Sequence, residues 1–153
     1  MSFYVDLDRG KIGERLVRDT FNALGYELAD TTNNELMFSK DVDFISADGI
    51  KYEVKTDYRF ADTGNFALEA YVYYFKSQEQ RDSWLFTSEA DYFCFVNPSD
   101  TSYIYVAKAS DLRAIAKRDL SIKELNDSYK LVGLYLLPYS DYENVFELVD
   151  TEV

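Results

Sequence analysis

Asp41-Val42-Asp43-Phe44-Ile45-Ser46-Ala47-Asp48-Gly49-Ile50-Lys51-Tyr52-Glu53-Val54-Lys55-Thr56-Asp57 is the stretch whose reading decides the fold. Two alternating runs, 41–46 and 50–57, flank Asp48-Gly49, and this is the pattern of a β-hairpin. Loop length sets the register, and a slip of one residue turns every side chain to the opposite face. A two-residue loop at Asp48-Gly49 pairs Phe44 with Glu53 and parts Asp43 from Glu53. A three-residue loop, Ala47-Asp48-Gly49, pairs Asp43 with Glu53 and Asp41 with Lys55. The second form wants a left-handed residue at its end, and Gly49 supplies one. It also gathers Val42, Phe44, Tyr52 and Val54 on one apolar face, so it is the expected register. The opposite face then carries Asp41, Asp43, Glu53, Lys55 and Asp57. Four acids beside one lysine repel across the strands. A bound cation relieves that repulsion, and so does plain solvation.

Upstream, Ile12, Leu16, Val17, Phe21 and Leu24 recur at helical spacing and predict a helix over 9–24, with Asp8 as N-cap and Gly25 as stop. Glu14 borders this apolar stripe. Spacing leaves it free to reach inward or to pair with Arg18 at the surface. Downstream, 65–75 is apolar on both faces and reads as a well-buried strand. Residues 76–90 are polar around the single Trp84 and read as a short helix or loop. Strands are expected at 92–96, 103–107, 130–137 and 145–149. A helix from Ser110 to about Arg118 and a short one over 121–127 are expected as well. This order gives an α/β (α+β) fold, a central mixed β-sheet flanked by helices. A chain of 153 residues with 47% hydrophobic and 17% aromatic residues suits one domain.

Composition removes several chemistries. The chain has no histidine, so His-based triads and His-ligated zinc are excluded. Cys94 is the single cysteine and sits in an apolar run, where an inert core thiol is expected. No apolar run reaches the roughly 18 residues of a membrane span, and the N-terminus lacks signal-peptide features, so a cytoplasmic location is expected. The net charge of −12 opposes nucleic-acid binding unless positive charge is local. Arg9, Lys11, Arg15 and Arg18 form one such cluster, and Arg113, Lys117 and Arg118 another.

What remains is carboxylate, lysine, tyrosine and hard-metal chemistry. Phosphodiester hydrolysis needs an activated water, a Lewis acid at the phosphoryl oxygen and stabilisation of the leaving group. Magnesium takes hard oxygen ligands. Asp43 and Glu53 on adjacent strands offer a carboxylate each, with the Val54 carbonyl nearby. Lys55 shares the Glu53 face by the period of two. Glu14 can approach from the first helix. A Glu-x-Lys by itself is common; the joint arrangement of helix, hairpin register and apolar backing is the informative part.

Glu14 on an opening helix, then Asp43, then Glu53-Val54-Lys55 resembles the PD-(D/E)XK, or restriction-endonuclease-like, nuclease superfamily. The closer likeness is to its small phage-type or resolvase-like members. An EVKTD-type strand, a TGN-type turn and a strand with Glu recur there. Here they are Glu53-Val54-Lys55-Thr56-Asp57, Thr63-Gly64-Asn65 and Phe66-Ala67-Leu68-Glu69, followed by Ala90-Asp91-Tyr92-Phe93. The likeness spans roughly 9–107, with Val42 where the family carries proline. The resemblance implies a Mg2+-dependent DNA endonuclease in which Mn2+ substitutes. Asp43 and Glu53 would be metal ligands, Glu14 would assist the metal, and Lys55 would be the catalytic lysine. DNA would be the partner, with a homo-oligomer or a DNA-binding partner protein supplying missing electrostatics. The competing expectation is a non-enzymatic acidic protein on the same fold, a DNA mimic or an inhibitor of a DNA-processing protein. Glu69 is a further candidate that either points at the site or pairs with Lys76 or another base. Trp84 reads as core, lid or base-stacking residue, and the fourteen tyrosines as packing.

Overall fold

The computed structural model describes residues 3–31 and 40–152, with side chains from Gly10 onward, so the side chain of Arg9 lies outside the described residues. Helix α1 runs Phe3–Ala23. It begins before the expected residue 9 and takes Asp8 into its interior, because nothing in Phe3–Arg9 breaks a helix once nucleated. Gly25 ends it with φ +91°, and the Tyr26 amide bonds back to the Phe21 carbonyl, a Schellman-type closure.

Among the described residues, ten strands form two sheets. The larger joins β1 (Ala29–Asp30), β2 (Phe44–Ile45), β3 (Lys51–Thr56), β6 (Tyr92–Val96), β7 (Tyr103–Lys108) and β10 (Glu147–Asp150), in that spatial order. It is mixed: β3 and β6 are parallel, while its other pairs are antiparallel. The smaller, antiparallel sheet has the order β5 (Glu79–Asp82), β4 (Asn65–Tyr74), β9 (Lys130–Pro138), β8 (Ile122–Asp127). Helices α2 (Phe60–Thr63), α3 (Trp84–Thr87) and α4 (Ala109–Asp119) complete the described α-helices. The fold is therefore mixed α/β, with a central mixed sheet flanked by helices.

Strand β6 shows how the layers divide. Cys94 and Val96 face α1 and pack with Val17, Phe21, Tyr52, Val54 and Ile104. Phe93 and Phe95 face the other way, into a larger core with Phe66, Leu68, Leu85, Leu112 and Leu137. A strand buried on both faces reads as a continuous apolar run, as Tyr92–Val96 does. Cys94 is fully buried, and burial raises its thiol pKa, so it is a core thiol.

Several elements depart from the sequence reading. The face of α1 that packs is Gly13, Val17, Thr20 and Phe21, while Ile12 and Leu24 are exposed. Strand β4 buries Phe66, Leu68, Ala70 and Val72 in alternation instead of both faces. Residues 79–82 form a strand paired with β4, and 84–87 a short helix. Ser110 lies inside α4, which starts at Ala109 without a side-chain cap. Residues 122–127 are the edge strand β8, not a helix; pairing with β9 overrides a weak local preference.

Candidate active site

The hairpin takes the register of the three-residue loop. Phe44 pairs with Tyr52 and Ile45 with Lys51. The Ser46 amide bonds to the Ile50 carbonyl across Ala47-Asp48-Gly49, and Gly49 has φ +88°. The ladder is shorter than expected. Strand β2 is only Phe44–Ile45, and Asp41 is left-handed with φ +54°, so Asp41 does not reach Lys55. The same departure sends Val42 into the larger core, away from Phe44, Tyr52 and Val54.

Because β2 is short, the Val54 amide is left to a side chain, and the Asp43 carboxylate accepts from it at 2.8 Å. It is the Val54 amide, not its carbonyl, that faces Asp43. The Asp43 amide donates to the Tyr52 carbonyl at 2.8 Å, which holds the residue beside β3 just past the end of its pairing with β2. Helix α1 reaches the same edge at Gly13, where a Cβ would lie 2.1 Å from Thr56 Oγ1. That close approach brings the next residue, Glu14, near enough to Asp43 for the two carboxyls to perturb each other. Glu14 thus turns inward, the first of its two alternatives.

On β3, Glu53 and Lys55 stand beside Phe93 and Phe95 of β6. Lys55 Nζ lies 3.1 Å from Glu53 Oε1. Glu53 is only 6% exposed, which rules out a wet hairpin face at this position. Its second oxygen, Oε2, is buried and has no donor among the described residues. Asp43 lies close enough to Glu53 for the two carboxyls to act on each other, and Asp43 can accept from Glu53 only when Glu53 is protonated.

Burial raises all three carboxyls. Glu53 is pushed up to about 8 by desolvation, with Lys55 opposing and Asp43 adding. Glu14 rises to about 7 by desolvation, then by the charge of Asp43 and its hydrogen bond. Asp43 rises through desolvation, opposed by the Val54 amide and Lys55. Two unit charges about 4 Å apart interact by about 1 kcal/mol in water but about 4 kcal/mol at the effective dielectric of a partly buried site. Three ionised acids against one lysine therefore call for a proton or a cation.

Glu14 and Glu53 hold their protons to about 7 and about 8 when folded, against 4.5 for an unperturbed glutamate. The native state then binds more protons than the unfolded chain between those values, so stability falls as pH rises through that window. Urea midpoints of metal-free protein should decline from pH 5 to pH 8.5, and Glu53→Gln should flatten the decline.

The other candidates separate cleanly. Asp57 accepts from the amides of Arg59, Phe60 and Ala67 at 3.0–3.1 Å, so its carboxylate is a structural clamp for the loop before β4. Asp41 meets the Thr87 hydroxyl at 3.3 Å. Glu69 accepts from the Ser83 hydroxyl at 2.8 Å and does not pair with Lys76. Arg113 is not a free phosphate ligand: it donates to the carbonyls of Leu85 and Ser88 at 2.6 Å each. Lys117 Nζ lies 5.1 Å from the Phe86 ring centre, and Arg118 pairs with Asp119. On α1, Lys11 and Arg15 are exposed next to Glu14, while Arg18 meets Asp19 at 3.3 Å.

Sequence reasoning missed the contact that completes the site. Lys55 Nζ lies 4.6 Å from the centre of the Trp84 ring. No spacing rule links these residues; they meet only through the way α3 packs on β3 and β6. Asp57 carried a legible signal, since an Asp three residues before a helix start can form an Asx-turn with the amides that follow it. Among the described residues, no group of three or more His, Cys, Asp or Glu side chains already stands in metal-ligand geometry. Among them, too, no helix is long and apolar enough to cross a membrane. Comparison with family models, curated proteins and solved structures finds no match to this chain.

Proposed function

We propose that this protein is a Mg2+-dependent DNA endonuclease with a restriction-endonuclease-like site. The observation that carries the reading is the buried, donor-less Oε2 of Glu53, in a carboxyl cluster shared with Asp43 and Glu14 and joined to Lys55. The donors are all hard oxygens, which suits magnesium or manganese. Asp43 and Glu53 would hold the ion and Glu14 would assist. When bound, magnesium supplies Lewis acidity and neutralises the surplus negative charge.

The chain's own groups do the rest. Val54 fixes the Asp43 carboxylate through its amide, so that donor is pre-oriented. The Lys55 ammonium orients the attacking water or offsets charge on the phosphoryl oxygens. In the hydrolysis, water oxygen bonds to phosphorus, one P–O ester bond breaks, and the leaving oxygen takes up a proton. Lys11 and Arg15, exposed beside Glu14, would meet flanking phosphates.

A DNA mimic needs paired acids spread over an exposed face. Burial of Glu53 and the part-burial of Asp43 favour the enzyme. Calorimetric titration with Mn2+ tests the reading. Parent protein should bind the ion with proton release at pH 7, and Asp43→Ala should lose that binding. No heat in the parent, together with no nicking of supercoiled DNA in Mg2+, contradicts the enzyme and returns the acidic-mimic alternative.

A further inference from the structure

Lys55 has a second partner that is built as carefully as the first. Its side chain is 26% exposed, and its ammonium is bounded by Glu53 Oε1 at 3.1 Å and by the Trp84 ring at 4.6 Å. A cation over an indole face is attracted by the ring quadrupole, and Trp is the strongest such ring. Trp84 is itself fixed. It stands edge-on to Phe93, with centroids 5.1 Å apart and planes at 77°, and leans on Phe95 at 6.4 Å.

A helix of four residues has little stability of its own, yet α3 is tied down on three sides. Arg113 of α4 bonds the carbonyls of Leu85 and Ser88 at 2.6 Å. The Ser83 amide donates to the Ala70 carbonyl at 2.9 Å, and its hydroxyl to Glu69 at 2.8 Å, which fastens the helix start to β4. The Ser88 hydroxyl donates to the Asp41 carbonyl at 2.6 Å, two residues before Asp43. Filling space over Phe93 does not require this many polar ties. Their joint effect is to hold one ring plane at a set height over one ammonium.

We infer that Trp84 is the positioning residue for Lys55, holding the ammonium over β3 while Glu53 is engaged by another charge. This rests on the nuclease reading for its effect on rate, but the placement itself is measurable without activity. An ion pair with Glu53 alone would let the lysine follow that carboxylate or swing to water. The indole face gives it a fixed second station that competes with neither a carboxylate ligand nor a phosphate oxygen.

The test compares Trp84→Phe and Trp84→Leu with the parent, as full-length chains. In metal-free protein, the Lys55 ε-methylene protons should be shifted upfield by the indole ring current. The shift should shrink in Trp84→Phe and vanish in Trp84→Leu. In Mg2+, Trp84→Leu should lower the kcat for DNA nicking by about 10-fold with KM within about 2-fold, while Trp84→Phe recovers most of the rate. A merely structural role predicts losses in the two variants that track the fall in their thermal midpoints, with no dependence on the aromatic face. Unshifted Lys55 protons in the parent, or a parent-like kcat in Trp84→Leu, overturns the inference. If the parent nicks no DNA, the nuclease reading fails, and the proton shifts alone decide whether Trp84 positions Lys55.

Discussion

Lys55→Ala is expected to cut Mg2+-dependent DNA cleavage by at least about 100-fold, the usual cost of removing one pre-oriented donor to a developing charge. The fold should survive. Lys55 is partly exposed, and the larger core next to it is built from Phe66, Phe93, Phe95, Leu85 and Leu112, none of which depends on the ammonium. Glu53 loses its neutralising partner, but it is already poised to hold a proton near neutral pH. It therefore answers the loss by protonation instead of unfolding. Glu53→Ala should abolish cleavage as well, by removing the buried oxygen proposed to face the ion. Nicking assays on supercoiled DNA, with circular dichroism melts run beside them, check both halves. Parent-like cleavage in either variant contradicts the assigned roles.

The second large effect is one of packing. Gly13→Ala should destabilise the protein by about 1–3 kcal/mol, because the new methyl would sit 2.1 Å from Thr56 Oγ1 and 3.4 Å from Val54 Cγ1. Thr56 is stiff at χ1 and its hydroxyl is buried, so it has no easy place to move. Gly10→Ala, three residues earlier on the same helix, meets nothing within 4 Å. It should stabilise by about 0.5–1 kcal/mol through helix propensity alone. Opposite signs from one substitution on one helix would show that the α1–β3 approach is specific. Denaturant midpoints measure both. Gly13→Ala should also weaken Mn2+ binding, since pushing α1 away carries Glu14 from Asp43.

How much of this was legible in the sequence depends on the range of the interactions involved. The hairpin register was readable because a loop of fixed length and Gly49 constrain it locally. Strand β6 was readable because burial on both faces leaves an unbroken apolar run. The inward turn of Glu14 was not readable: spacing put it at the stripe's edge, and only the Gly13–Thr56 approach decides which way it faces. The strand at 122–127 was missed because its partner, β9, makes it a strand, while its own residues favour nothing strongly. Asp41 and Asp57 shared a face with Glu53 by period-two counting, but counting assumes a ladder that continues. The left-handed turn at Asp41 and the amide clamp at Asp57 end it on both sides. The Lys55–Trp84 contact joins two elements distant in sequence and left no local trace.

The central claim is that the carboxyl cluster at the edge of β3 is a cation site serving DNA hydrolysis. Anomalous diffraction from crystals grown with saturating Mn2+ tests it most directly. The account predicts a single strong peak between the carboxyls of Asp43 and Glu53, absent from crystals of Asp43→Ala. A parent map with no peak there, and Glu53 still paired only with Lys55, would contradict it.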